Sequence, residues 1–143
     1  METTYEQTPL SVHRPAGDPR GGVVVVQEGF GVNSYIDDVA RRLAGEGWLA
    51  VAPHLFHRTG DAQLPYDDFD QVKPHMGALT PEGLLTDLDA ALGFLADAGV
   101  GGGRAGVVGF CMGGTVALIS AVRRDVGAAV SFYGGGVAQG RFG

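Results

Sequence analysis

The chain has 143 residues, 25 of them glycine, with 45% apolar and 18% charged side chains. That length and apolar share describe one compact domain or part of one, and they exclude collagen-like, disulfide-stapled and disordered chains. A formal charge of −6 gives no footprint for nucleic acid or an anionic membrane, which leaves small neutral or anionic ligands.

Cys111 is the single cysteine, so no intramolecular disulfide and no zinc pattern exist, and a free thiol fits a reducing cytoplasm. The start, Met1-Glu2-Thr3-Thr4, lacks the basic and apolar regions of a signal peptide. The aliphatic run Val23 to Val26 is too short to cross a bilayer, and the expectation is a soluble cytoplasmic protein.

Leu10 to Pro15 reads as an outer strand that ends in the turn signal Pro15-Ala16-Gly17-Asp18-Pro19. Val23 to Val26, bounded by Gly21-Gly22 and Gly29, suits a strand buried on both faces. A helix follows, capped by Asn33 or Ser34, with Ile36, Val39, Ala40 and Leu43 on one face, acids in its first turn and Arg41-Arg42 in its last. Trp48 to Ala52 is a second buried strand, ended by Pro53. From Pro53 to Thr80 no period is sustained, and the expectation is one long loop on the active-site side.

Thr80 caps and Pro81 opens the next helix, with Leu84, Leu88, Ala91 and Leu95 on one face and Leu85 and Leu92 beside it. A third buried strand runs from about Arg104 to Val108, a helix rich in small residues from Met112 to Arg123, and a fourth strand from Ala128 to Tyr133. Strands alternating with helices predict an α/β fold, a mostly parallel sheet with helices on both faces in three layers.

The most informative window is Val107-Val108-Gly109-Phe110-Cys111-Met112-Gly113-Gly114, which sets Gly-x-Cys-x-Gly between a buried strand and a helix. This is the nucleophile-elbow pattern with cysteine in place of serine. The glycines belong to the pattern because the turn is too sharp for side chains that would collide across it. Cys111 is thereby expected at the carboxyl end of the sheet, facing a helix N-terminus whose dipole favours thiolate, with the Met112 amide available to an oxyanion. The plainer reading is a buried structural cysteine. Ser11, Ser34, Ser120 and Ser131 lack flanking elbow glycines, so no serine competes for the role.

Gln27-Glu28-Gly29-Phe30-Gly31 leaves the first buried strand at the same edge of the sheet, where open α/β folds place their ligands. Glu28 is therefore a candidate partner of the thiol, against the alternative of a solvated acid at a strand end. Gly29 reads equally as a turn residue. Phe30, His57, Arg58 and His75 lie on loops that can overhang the site and are the candidate substrate contacts, while His13 and His54 read as solvated or structurally bonded imidazoles.

Two other patterns are set aside. Gly101-x-Gly103-x-x-Gly106 has the letters of a dinucleotide fingerprint but precedes a strand instead of following one. The acidic cluster Asp67, Asp68 and Asp70 lacks the spacing and glycine of a calcium loop, so no metal and no organic cofactor is expected.

Taken together, Val24-Val25-Val26-Gln27-Glu28-Gly29-Phe30-Gly31, Gly47-Trp48 through Ala52-Pro53, and Gly109-Phe110-Cys111-Met112-Gly113-Gly114 resemble the dienelactone hydrolase family, over nearly the whole span from Arg14 to Tyr133. The resemblance implies an α/β-hydrolase fold and a cysteine hydrolase acting on an ester or lactone through an acyl-enzyme. It further implies Cys111 as nucleophile, Glu28 as the acid that meets the resting thiol, and the amides of Gly29 and Met112 as oxyanion hole. In that family a catalytic Asp and His follow the nucleophile in later segments, so residues 1–143 are expected to be the amino-terminal part of a single domain, with its carboxyl-terminal part missing. His54 stands where such proteins often have Asp, which leaves the particular ester or lactone open. The rival reading is a catalytically silent, truncated module that binds a ligand or partner through the same cleft. An unpaired last strand, Ala128 to Tyr133, predicts dimerisation through the exposed sheet edge.

Overall fold

In the computed structural model, residues 1–136 are described, and they form one six-stranded sheet with helices against both faces. In chain order the strands are β1 (Glu2–Tyr5), β2 (Thr8–His13), β3 (Gly22–Val26), β4 (Leu49–Pro53), β5 (Ala105–Phe110) and β6 (Ala128–Phe132). The helices are α1 (Ser34–Gly45), α2 (Phe69–Gly77), α3 (Pro81–Asp97) and α4 (Met112–Arg123). The spatial order is β1-β2-β4-β3-β5-β6, with β1, β2 and β4 antiparallel to one another in turn and the remaining pairs parallel.

Two apolar clusters cover the sheet. On one face Leu84, Leu88, Ala91 and Leu95 of α3 and Met112, Val116 and Ala117 of α4 pack on Leu10, Val24, Val26, Val51 and Val107. On the other, Ile36 and Ala40 of α1 pack on Val25, Ala50, Ala52 and Phe110. The α1 face is covered only in part. Beside that helix a groove of about 430 Å³, walled by Val23, Trp48, Val108, Phe110, Val130 and Phe132, runs out to β6. Val130 and Phe132 are about half exposed there, at 47% and 46%.

The local signals act as anticipated at α1, where the Asn33 side chain accepts from the Ile36 amide, and at α3, where Thr80 accepts from Gly83. Three expectations need correcting. The strand read as outermost, Leu10 to Pro15, is β2 at Thr8–His13, and β1 lies outside it. The β1–β2 hairpin turns on Glu6 and Gln7, both at positive φ (46° and 74°), without the Asn-Gly or Asp-Gly pair that usually announces such a turn.

The stretch 53–80 is not one long loop, since it contains a 3₁₀ turn at His57–Thr59 and the nine-residue helix α2. Pro74 sits inside α2, where it removes a backbone donor, and this is why the segment reads as irregular. The last strand ends at Phe132, because Tyr133 turns to φ 40°.

Candidate active site

Three parallel strands bring three side chains to one edge of the sheet. Val26 is in register with Gly109, and Phe110 with Phe132. Two residues past Val26 stands Glu28, two past Gly109 stands Cys111, and one past Phe132 stands Tyr133. They leave β3, β5 and β6 at one level, with neighbouring strands about 4.8 Å apart.

Cys111 is the hinge between β5 and α4, at φ 54° and ψ −119°, a conformation that costs a non-glycine residue about 1–3 kcal/mol and persists only where its surroundings enforce it. The enforcement is visible. A Cβ on Gly109 would lie 1.8 Å from the Gly113 carbonyl oxygen, and one on Gly113 would lie 2.3 Å from that of Val26, so helix, elbow and β3 meet backbone to backbone. The Cys111 amide donates to the Phe132 carbonyl at 2.9 Å, while its own carbonyl accepts from Gly114 and Thr115. Thr115 in turn donates its hydroxyl to the Gly135 carbonyl at 2.6 Å. Met112 and Gly113 are the first residues of α4, so their amides have no intrahelical acceptor. The thiol is half-buried.

Glu28 is buried, at 9% exposure. Its Oε2 accepts from the Tyr133 phenol at 3.2 Å, and its Oε1 is buried without a partner among the described residues. An orphaned carboxylate oxygen is costly in a folded protein and marks a place where a proton or a ligand is to be met. The fully buried Gln27 holds the preceding turn, accepting from the Leu55 amide at 2.9 Å and donating to the Glu28 carbonyl at 3.0 Å. Desolvation, the charge of Glu28, the hydrogen bond to it, Tyr35 and Cys111 together push the Tyr133 phenol up to about 12.

The strand ends carry no sequence signal for Gln27 or Tyr133 as parts of this site. The register that aligns Tyr133 with Cys111 exists only once the sheet is formed.

Gly29 lies beneath α2, with the Val72 and Met76 side chains 3.4 and 3.5 Å from where its Cβ would be. Phe30 packs edge-on against Tyr66, ring centres 4.5 Å apart. The other candidate substrate contacts are engaged elsewhere. His57 Nε2 donates to Asp87 at 3.0 Å, and Arg58 reaches both carboxylate oxygens of the same Asp87, at 2.8 and 3.1 Å. Thr8 donates to that carboxylate as well, at 2.9 Å. His75 Nδ1 meets the Thr59 hydroxyl at 2.7 Å and its ring lies over Phe56. His13 faces Asp37, and His54 lies between Ser11 and Asp61. Each of the four imidazoles thus has a partner outside the elbow. Among the described residues no group of three His, Cys, Asp or Glu side chains gathers as a metal site would require, and no helix is long and apolar enough to cross a membrane.

A mostly parallel sheet, helices on both faces and a strand-to-helix elbow with a small, half-buried nucleophilic side chain at its tip are the architecture of the α/β-hydrolases. More narrowly, the chain belongs to the dienelactone hydrolase family, whose model matches residues 10–141. It is 33% identical over 130 residues to "Carboxymethylenebutenolidase" of Pseudomonas putida, covering 88% of this chain and 55% of that protein. To "Putative carboxymethylenebutenolidase" of Yersinia pestis it is 39% identical over 114 residues, covering 78% of this chain and 42% of that one. The crystal structure of "Putative Dienelactone Hydrolase" from Klebsiella pneumoniae superposes with a TM-score of 0.83 at 36% identity, over 94% of this chain and 59% of that one. The chain therefore spans about half the length of the curated relatives it matches.

Proposed function

We propose that the protein is a cysteine-dependent hydrolase of an ester or lactone, working through an acyl-enzyme, with Cys111 as nucleophile. The observation that carries this reading is the row Glu28, Cys111, Tyr133, with Cys111 held in a left-handed elbow at the head of α4 and one buried Glu28 oxygen lacking a partner. In the reaction the Cys111 proton passes to Glu28, and the thiolate at the helix N-terminus adds to the substrate carbonyl. The amides of Met112 and Gly29 receive the oxyanion, the alcohol leaves, and water then cleaves the thioester.

Deacylation needs a base to activate that water. General base assistance contributes about 10²- to 10⁴-fold, and the four histidines here are bonded elsewhere. The reading therefore assigns this step to a His oriented by an Asp outside residues 1–143, as in the resemblance. The substrate is a small ester or lactone held near Phe30, no cofactor takes part, and the protein acts in the cytoplasm.

The test is to expose residues 1–143 to an activated ester and follow intact mass and product together. An acyl group retained on Cys111, without return of the free thiol, is the expected result. Absence of any acylation at Cys111 would instead favour a silent binding module.

A further inference from the structure

Three hydrogen-bonded side chains outside the elbow form a second array. Ser11 of β2 has its Oγ 2.8 Å from His54 Nε2, and both carboxylate oxygens of Asp61 lie 2.9 Å from His54 Nδ1. The His54 side chain is 6% exposed. An ionised carboxylate only accepts, so Nδ1 carries a proton. In the neutral imidazole Nε2 is then bare and accepts the Ser11 hydroxyl. Acid, imidazole and hydroxyl in this order of contact are the means by which serine nucleophiles are activated, an arrangement recognised by geometry and not by chain order.

The fold builds the array deliberately. Ser11 is in register with Ala52 of β4, and His54 follows directly after that strand. Asp61 comes after the 3₁₀ turn with φ 55°, its amide bonded to the Phe56 carbonyl at 2.8 Å, a left-handed conformation that Asp tolerates better than most residues. Three strand spacings, about 14 Å, separate β2 from the β5 strand that carries Cys111, so the two nucleophiles do not share a cleft.

A cavity of about 400 Å³ opens onto the array, with His13, Asn33, Ser34 and Asp37 also in its wall. That is room for a small ligand. The twelve-residue helix α1 begins on this wall. Asn33 caps the Ile36 amide, which leaves the amides of Ser34 and Tyr35 as donors with no intrahelical acceptor. A cavity lined by a hydroxyl, by its base with an orienting acid behind it, and by the first residue of a helix has the parts that acyl transfer requires.

We propose that this cavity is a second reaction site, with Ser11 as nucleophile, His54 as general base, Asp61 as the residue positioning the imidazole, and a small carboxylic ester as substrate. In the step, Ser11 Oγ bonds to the carbonyl carbon, its proton passes to His54 Nε2, and the alkoxide leaves with the bonding pair and takes up that proton. A fluorophosphonate ester is the matching probe: the Oγ–P bond forms, the P–F bond breaks, and the serine proton leaves with fluoride.

The protein, with Cys111 first capped by iodoacetamide, is treated with the fluorophosphonate, digested and mapped by mass spectrometry. The label is expected on Ser11 in the wild type and in Cys111→Ala alike. Its rate of attachment should fall at least about 100-fold in His54→Gln and at least about tenfold in Asp61→Asn. An unlabelled Ser11 in the wild type overturns the proposal, as does equal labelling in His54→Gln, which would mark a hydroxyl that reacts without its imidazole. Circular dichroism checks the fold of each variant. Should the buried His54→Gln fail to fold, Asp61→Asn at its 45% exposed site decides, and an unchanged rate there overturns the proposal.

Discussion

Tyr133 donates its phenolic hydrogen to Oε2 of Glu28 at 3.2 Å, and the bond spans the strand between them, β5, which carries Cys111. The outer strand and the inner one are thus joined by side chains directly at the tip of the elbow. Glu28 is fixed by one oxygen, while the other has no partner among the described residues.

The first expectation concerns the elbow itself. Cys111→Ala removes acylation at position 111 while the fold persists, and in Cys111→Ser, with a hydroxyl of far higher pKa, acylation at that position falls by at least about 100-fold. Cys111→Gly relieves the left-handed strain and should raise unfolding stability by about 1 kcal/mol even as reactivity vanishes. Urea denaturation of the two inactive variants, Ala against Gly, checks the sign.

The second is a pH effect. Burial first, and the Glu28 charge next, hold the Tyr133 phenol at about 12. Glu28→Gln removes the negative neighbour and should bring this titration down toward 10. Ultraviolet titration of phenolate reads it. A folded-state value above the unfolded one means that Tyr133 supports the fold fully below pH 10 and loses that support as pH rises through 12. The same substitution should alter the pH profile of Cys111 alkylation by iodoacetamide, and an unchanged profile would make Glu28 a bystander.

The third concerns the fully buried Asp87, which gathers Arg58, His57 and Thr8. Asp87→Ala leaves a cation and two donors without their acceptor and should destabilise by about 3 kcal/mol, read from chemical denaturation. Thiol alkylation in the remaining folded fraction should be nearly unaffected, since none of these groups contacts Cys111.

The fourth concerns the groove beside α1. We propose that residues 1–143 self-associate through the apolar wall at Val130 and Phe132 and the edge of β6 that is unpaired among the described residues. Val130→Lys or Phe132→Glu should shift the protein toward monomer in sedimentation velocity, with unchanged circular dichroism.

The sequence made the parallel centre of the fold readable wherever one local signal acted alone. Valine runs marked β3, Thr80-Pro81 opened α3, and the paired glycines around Cys111 announced the elbow. What stayed hidden depends on interactions that no window of sequence contains. β1 is polar and alternates weakly, so its pairing with β2 and not its own residues makes it a strand. α2 forms across Pro74 because Val72 and Met76 find a seat over Gly29.

The site divides in the same way. Cys111 and Glu28 were legible from their places after buried strands. Tyr133 was not, because its alignment with Cys111 is a property of the β5–β6 register. His57, Arg58 and His75 looked available as loop residues, but a buried acid 29 residues from Arg58 in sequence, and a threonine 16 residues from His75, occupy them.

The carbonyl of Phe132 that receives the Cys111 amide belongs to β6, an edge strand whose far side is bare among the described residues. The backbone of the proposed nucleophile is therefore braced by an edge beam of the sheet. Whatever zips onto that beam, or pulls it outward, acts on the strand that holds the Cys111 amide, so the speed of Cys111 alkylation should report how the rim of the sheet is occupied.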